Sequence, residues 1–91
     1  MKVKKIFEQI ETTNNINFVT GNAFVSVVFE DNGNDYCRFK KYNNFVNYLN
    51  EMYIDEVVEA VLDLEFDFKK NICPTVTIND ITYSLYLESD M

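Results

Sequence analysis

The run from Thr75 to Leu87 alternates apolar and hydroxyl-bearing residues around a single Asn79-Asp80 break. A period of two with a turn at its centre is the signature of a β-hairpin. Around that turn Val76 faces Tyr83 and Ile78 faces Ile81, all on one side, while Thr75, Thr77, Thr82 and Ser84 take the other and look at water. Pro74 has no N–H to give to a ladder, so it marks the start of the first strand. A hairpin with one apolar face needs a cover, and that requirement organises the rest of the chain.

A second hairpin precedes it. Ala23-Phe24-Val25-Ser26-Val27-Val28-Phe29-Glu30 is rich in β-branched and aromatic residues, Asn32-Gly33 is a strong turn signal, and Tyr36 to Lys40 is the return strand. With Asn32-Gly33 as a two-residue loop, Phe29 faces Tyr36 and Val28 faces Cys37. Phe24, Ser26, Val28, Cys37 and Phe39 then share one face. Val25, Val27, Phe29 and Tyr36 share the other with Arg38 and Lys40, whose stems lie over it with their charges in water. Ile16 to Thr20 reads as a further short strand, ended by Gly21-Asn22.

The cover comes from helices. Val3, Ile6, Phe7 and Ile10 have the spacing of one face of an amphipathic helix from Lys2 to Thr12. Asn43 or Asn44 is placed to cap a helix beginning near Phe45, whose apolar stripe is Phe45, Val46, Leu49, Met52 and Tyr53. From Asp55 onward two periods compete. Val57, Val58, Val61 and Leu62 suit a helix capped by Asp55, whereas Val58, Ala60, Leu62, Leu64, Phe66 and Phe68 occupy every even position of a strand. We read helix to about Val61 and strand from Asp63 to Lys69. The resulting class is α+β, an antiparallel sheet of hairpins with two or three helices packed on one face.

The 91 residues, 1–91, make a single domain. Met1-Lys2-Val3-Lys4-Lys5 is followed by Glu8 and Glu11 rather than by the apolar core of a signal peptide. No apolar run approaches the roughly 18 residues of a membrane span. A soluble, cytoplasmic protein is expected, with Cys37 and Cys73 as reduced thiols. Asn, Lys, Ile, Phe and Tyr are abundant and Ala, Gly, Pro and Trp scarce, the bias of AT-rich coding DNA. That bias points to a low-GC bacterium or its phages and mobile elements.

Fifteen carboxylates face eight Lys and Arg, and the imbalance is local. Between Tyr42 and Phe68 stand Glu51, Asp55, Glu56, Glu59, Asp63, Glu65 and Asp67 with no Lys or Arg among them; elsewhere the signs balance. A helix would align Asp55, Glu59 and Asp63, and a strand would align Glu59, Asp63, Glu65 and Asp67. Either geometry gives an exposed carboxylate array. Such a field attracts basic proteins and repels nucleic acid and anionic membrane. The alternative is that the acids serve only solubility.

Chemistry is harder to place. The chain has no His, so the usual base near neutral pH and the commonest metal ligand are both missing. Asp63, Glu65 and Asp67 have the spacing of the first ligands of a calcium loop, but the position that requires Gly is Phe68 and the one that requires a bidentate Glu is Pro74. With Gly only at 21 and 33, no phosphate cradle is available. The clusters Lys2, Lys4, Lys5 and Arg38, Lys40, Lys41 read as solvated faces. No catalytic residue, no cofactor and no metal site is expected.

The order of an opening helix, strands joined by Glu30-Asp31-Asn32-Gly33-Asn34-Asp35-Tyr36, and a helix near Phe45 to Met52 resembles that of small acidic phage proteins of the anti-CRISPR, DNA-mimic type. The resemblance implies an inhibitor that occupies the basic surface of a nucleic-acid-binding protein. Together with the charge, it makes the seven carboxylates from Glu51 to Asp67 the expected partner-binding residues, with Tyr42, Tyr48 and Tyr53 adding contact area. The alternative is a structural or oligomerising module, a homodimer included, joined through a sheet face or edge.

Overall fold

Strands Phe24–Asp31 (β1) and Asp35–Phe39 (β2) form one hairpin, and Thr75–Ile78 (β3) and Ile81–Ser89 (β4) form another. Pairing of β1 with β4 joins them into a four-stranded antiparallel sheet of order β2-β1-β4-β3. Among the described residues three helices complete the α+β fold: Val3–Thr12 (α1), Tyr42–Met52 (α2) and Asp55–Leu62 (α3). The computed structural model describes residues 1–12, 24–70 and 73–89. The strand expected over Ile16 to Thr20 and the break at Gly21-Asn22 lie outside the described residues.

The second hairpin has the register its alternation predicts, with Val76 opposite Tyr83 and Ile78 opposite Ile81. Asn79 and Asp80 both adopt left-handed backbone, with φ of 52° and 68°, the pairing of signs a two-residue turn needs to match strand twist. Its polar face divides: Thr75 and Thr77 are exposed, whereas Ser84 is buried.

The first hairpin departs from expectation by one residue. Asn32 and Gly33 do turn the chain, with φ of 49° and 73°, and Asn34 N–H donates to Asp31 O at 2.9 Å. The ladder resumes only at Asp35, so Phe29 faces Cys37 and Glu30 faces Tyr36. That shift carries Cys37 and Phe39 to the face of Val27 and Phe29, and Arg38 to the face of Val28. Burial decides the register: the Phe39 ring sits 5.2 Å from Phe45 and 5.3 Å from Tyr48, while Arg38 stays exposed to pair with Glu88.

All three helices pack on the Val27, Phe29, Leu85 face of the sheet. Val3, Ile6 and Phe7 of α1, Phe45 and Leu49 of α2, and Val57, Val58 and Val61 of α3 are buried there with Phe66 and Tyr83. Phe29 is the hub, its ring 5.6–6.1 Å from those of Phe45, Tyr48, Tyr53 and Tyr83. Edge-to-face and stacked rings at such separations add specific attraction to the area they bury. Helix α2 starts at Tyr42, earlier than expected, with Lys41 at the cap position and Asn43 and Asn44 inside the first turn. Contact of Tyr42 with Phe7, 5.8 Å between centroids, draws that turn onto α1.

Helix α3 extends to Leu62, and Ile54 rather than Asp55 holds its cap position. The strand expected over Asp63 to Lys69 does not form. Instead Phe66 N–H donates to Met1 O, the terminal ammonium donates to Phe66 O, both at 2.9 Å, and Lys2 and Glu65 make a single bridge. The partner segment turns into α1 at Val3, so pairing cannot continue. Only Phe66 among Leu64, Phe66 and Phe68 is buried.

Candidate partner-binding surface

The seven expected carboxylates are all exposed, yet they do not form one array. Glu51 lies in the last turn of α2; Asp55 and Glu56 occupy the first turn of α3, where the helix dipole favours anions; Glu59 follows one turn later. Asp63 caps the end of α3, and Glu65 and Asp67 lie on the segment that follows.

Cations from outside the window answer the second group. Lys2 Nζ donates to Asp63 Oδ1 at 2.7 Å and to Asp63 O at 3.0 Å. This hydrogen bond holds the Lys2 ammonium above its ordinary pKa. The terminal ammonium lies 3.7 Å from Glu65, and Lys70 Nζ lies 3.9 Å from Asp67, whose Oδ1 also accepts from Lys69 N–H at 3.1 Å. For Glu51, Asp55, Glu56 and Glu59 there is no ion pair among the described residues. The field that composition spreads over Tyr42 to Phe68 is therefore concentrated at the corner between α2 and α3.

That corner also bears apolar surface. Met52 and Ile54, between Glu51 and Asp55, are 60% and 59% exposed, the most exposed large apolar residues among those described. The spacing of Met52 from Leu49 places it on the apolar stripe of α2, but it is the last residue of the helix and lies exposed. Beside it, Glu56, Glu59, Ala60, Leu62 and Asp63 line a shallow, open depression on α3. A surface of this composition suits a partner that brings both positive charge and apolar contact.

The tyrosines expected to add contact area also pack inside the fold. Tyr48 and Tyr53 turn inward against Phe29, and Tyr53 O–H donates to Asp31 Oδ2 at 2.7 Å. Burial, then that hydrogen bond, pushes the Tyr53 phenol far above its usual range; burial is also the main cause of the upward shift at Tyr48. Tyr42 packs on Phe7, with Lys4 Nζ 5.9 Å from its ring centroid. These rings brace α2 against the sheet while staying partly exposed.

The two thiols are unbonded to each other. Burial and the nearby Glu30 carboxylate raise the Cys73 pKa, the opposite of what a nucleophile needs. No group of three potential metal ligands occurs among the described residues. On the far side of the sheet, Ser26 Oγ and Arg38 Nε donate to Glu88 Oε2 at 2.8 and 2.9 Å and lower the Glu88 pKa, and Tyr86 O–H donates to the buried Glu30 carboxylate. Among the described residues no helix is long and apolar enough to cross a membrane.

Sequence reasoning missed Met52, Ile54 and the three neutralising cations. Ile54 carried a usable signal, an apolar residue directly before a helix start flanked by acids. Compared with known proteins, the chain matches no protein family, no curated protein and no solved structure.

Proposed function

We propose that this protein is a non-catalytic binding protein whose α2–α3 corner docks on a basic surface of another protein. The observation that carries this reading is the set Glu51, Asp55, Glu56 and Glu59, unpaired among the described residues, around the exposed Met52 and Ile54. Like charges at Asp55 and Glu59, one helical turn apart and with no described cation beside them, repel each other, and a binding role accounts for the array beyond what the α3 dipole stabilises. The same field disfavours direct contact with nucleic acid or an anionic membrane.

A partner surface that is basic enough to seat this corner is the kind that holds nucleic acid, so the reading extends to a DNA-mimic inhibitor from a phage or mobile element of a low-GC bacterium. The test is capture from a lysate of such a bacterium on immobilised protein, in parallel with a variant carrying Glu51→Lys, Asp55→Lys, Glu56→Lys and Glu59→Lys. A protein retained by the first and not by the second, and displaced by duplex DNA, supports the reading. Equal retention by both sinks it.

A further inference from the structure

We infer that β3 is a docking strand: an extended, Lys- or Arg-bearing segment of a partner adds to the edge of β3 that no described strand covers, as a further strand of the sheet. The inference rests on the reading of α3 as a partner-facing acidic helix and names how the partner engages beside it.

Hydrogen bonding fixes which backbone groups the edge offers. Leu85 N–H donates to Pro74 O at 3.0 Å, so Pro74 and Leu85 are an inward-bonded pair. Alternation along the antiparallel ladder makes Val76 with Tyr83 and Ile78 with Ile81 the next such pairs. The N–H and C=O of Thr75 and Thr77 then point away from β4. The other side of the ladder agrees, since Thr82 O, opposite Thr77, accepts from Asn32 N–H at 2.7 Å on the β1 side. Among the described residues β3 is the last strand of the sheet, and both threonines are exposed.

The two edges of the sheet differ in their guards. β2 carries Arg38 and runs directly into Lys40 and Lys41, charges that discourage another strand. Nothing from Thr75 to Asn79 is charged, and β3 has neither Pro nor bulge within it. Val76, Ile78 and Ile81 are left only partly covered along it, Ile81 at 38% exposed.

Charge selects the occupant. α3 packs against β3 and carries Asp55, Glu56 and Glu59, which have no ion pair among the described residues. Two-fold pairing of β3 with a second copy would bring two such helices together. A strand with Lys or Arg on the helix side instead lays its aliphatic stems beside Val76 and Ile78 with its charges in the field of α3. Threonine or another β-former suits the side beside Thr75 and Thr77.

The probe is a capped Thr-Lys peptide of four repeats, titrated into the full chain and followed by amide NMR and hydrogen exchange. In the free protein the Thr75 and Thr77 amides exchange quickly while those of Val76 and Ile78 are protected; with peptide, Thr75 and Thr77 slow by about tenfold, the equivalent of one or two ladder bonds. Thr77→Pro removes an outward N–H that β4 does not use, so it leaves the fold intact and weakens peptide binding about tenfold. Should that variant not fold, the exchange measurement on the unaltered chain decides alone.

Peptide shifts confined to α3, with Thr75 and Thr77 unmoved, overturn the docking strand and leave the acidic corner standing. Peptide binding that survives Asp55→Gln, Glu56→Gln and Glu59→Gln but not Thr77→Pro overturns the charge preference, and with it the reading of α3. A doubling of mass with Thr75 and Thr77 protected in the protein alone overturns the proposal in favour of a second copy.

Discussion

The acidic segment has two halves of similar charge density that differ in what answers them. Asp63, Glu65 and Asp67 meet Lys2, the terminal ammonium and Lys70, and the segment is pinned by Phe66 and its bonds to Met1. Glu51, Asp55, Glu56 and Glu59 ride on helices that are as firmly packed, through Leu49, Val57, Val58 and Val61, yet meet no described cation. Negative charge in one half helps close the fold, and in the other it faces outward. Net charge alone would not distinguish them; the position of the basic residues in space does.

The largest effects test whether both halves share one core. Leu49→Ala and Phe66→Ala each remove a buried side chain and are expected to cost about 3 kcal/mol in urea denaturation. If Phe66→Ala costs under about 1 kcal/mol, its segment is peripheral and the halves are not equally anchored.

Next comes binding. Reversal of Glu51, Asp55, Glu56 and Glu59 to Lys should weaken a captured partner by about 100-fold or more, because like charges then face each other across the contact. The matching reversal of Asp63, Glu65 and Asp67 should weaken it by less than about tenfold, measured by titration calorimetry at the same salt. The comparison fails if the two sets lose affinity equally.

A smaller effect has the opposite sign. Glu59→Lys turns the repulsion with Asp55 into an i,i+4 attraction and should raise stability by about 0.5 kcal/mol while it lowers affinity. Gain in one and loss in the other would mark a residue kept for contact; loss in both would not.

The smallest signal is the pH dependence of the paired half. Asp63 raises the Lys2 pKa above its usual 10.5, so the contribution of the pair is complete below that pH and disappears as pH rises through the folded value. The stability difference between the parent and Lys2→Met should be constant from neutrality to about pH 9 and close in stronger alkali. A difference that persists there would mean that Lys2 acts through packing and not charge.

These contrasts also explain what sequence could disclose. The stripe of α1 and the register of the β3–β4 hairpin were legible because both are local: four apolar residues on one face, and a turn whose left-handed residues fix the loop length. The β1–β2 register was not, because burial of Phe39 over Arg38 outweighed the two-residue loop and admitted Asn34 into the turn. Alternation from Asp63 to Lys69 resembled a strand, but a strand requires a partner that stays extended beside it, and the segment that meets it at Lys2 turns into α1 at Val3. The exposure of the seven carboxylates was legible, and their division into two groups was not. Lys2 and Asp63 are far apart in sequence, and no window of composition brings them together.

The chain contains six tyrosines and no tryptophan, so its ultraviolet emission is that of phenol. Tyr53 lies between Met52 and Ile54 at the acidic corner, with its hydroxyl on the Asp31 carboxylate. A carboxylate in that position accepts the phenolic proton in the excited state and darkens the ring. A partner that pries the corner off the sheet would therefore raise the contribution of Tyr53 to the emission, and one that seats on the outer surface alone would leave the emission unchanged. Mode of engagement can thus be read optically, without a label.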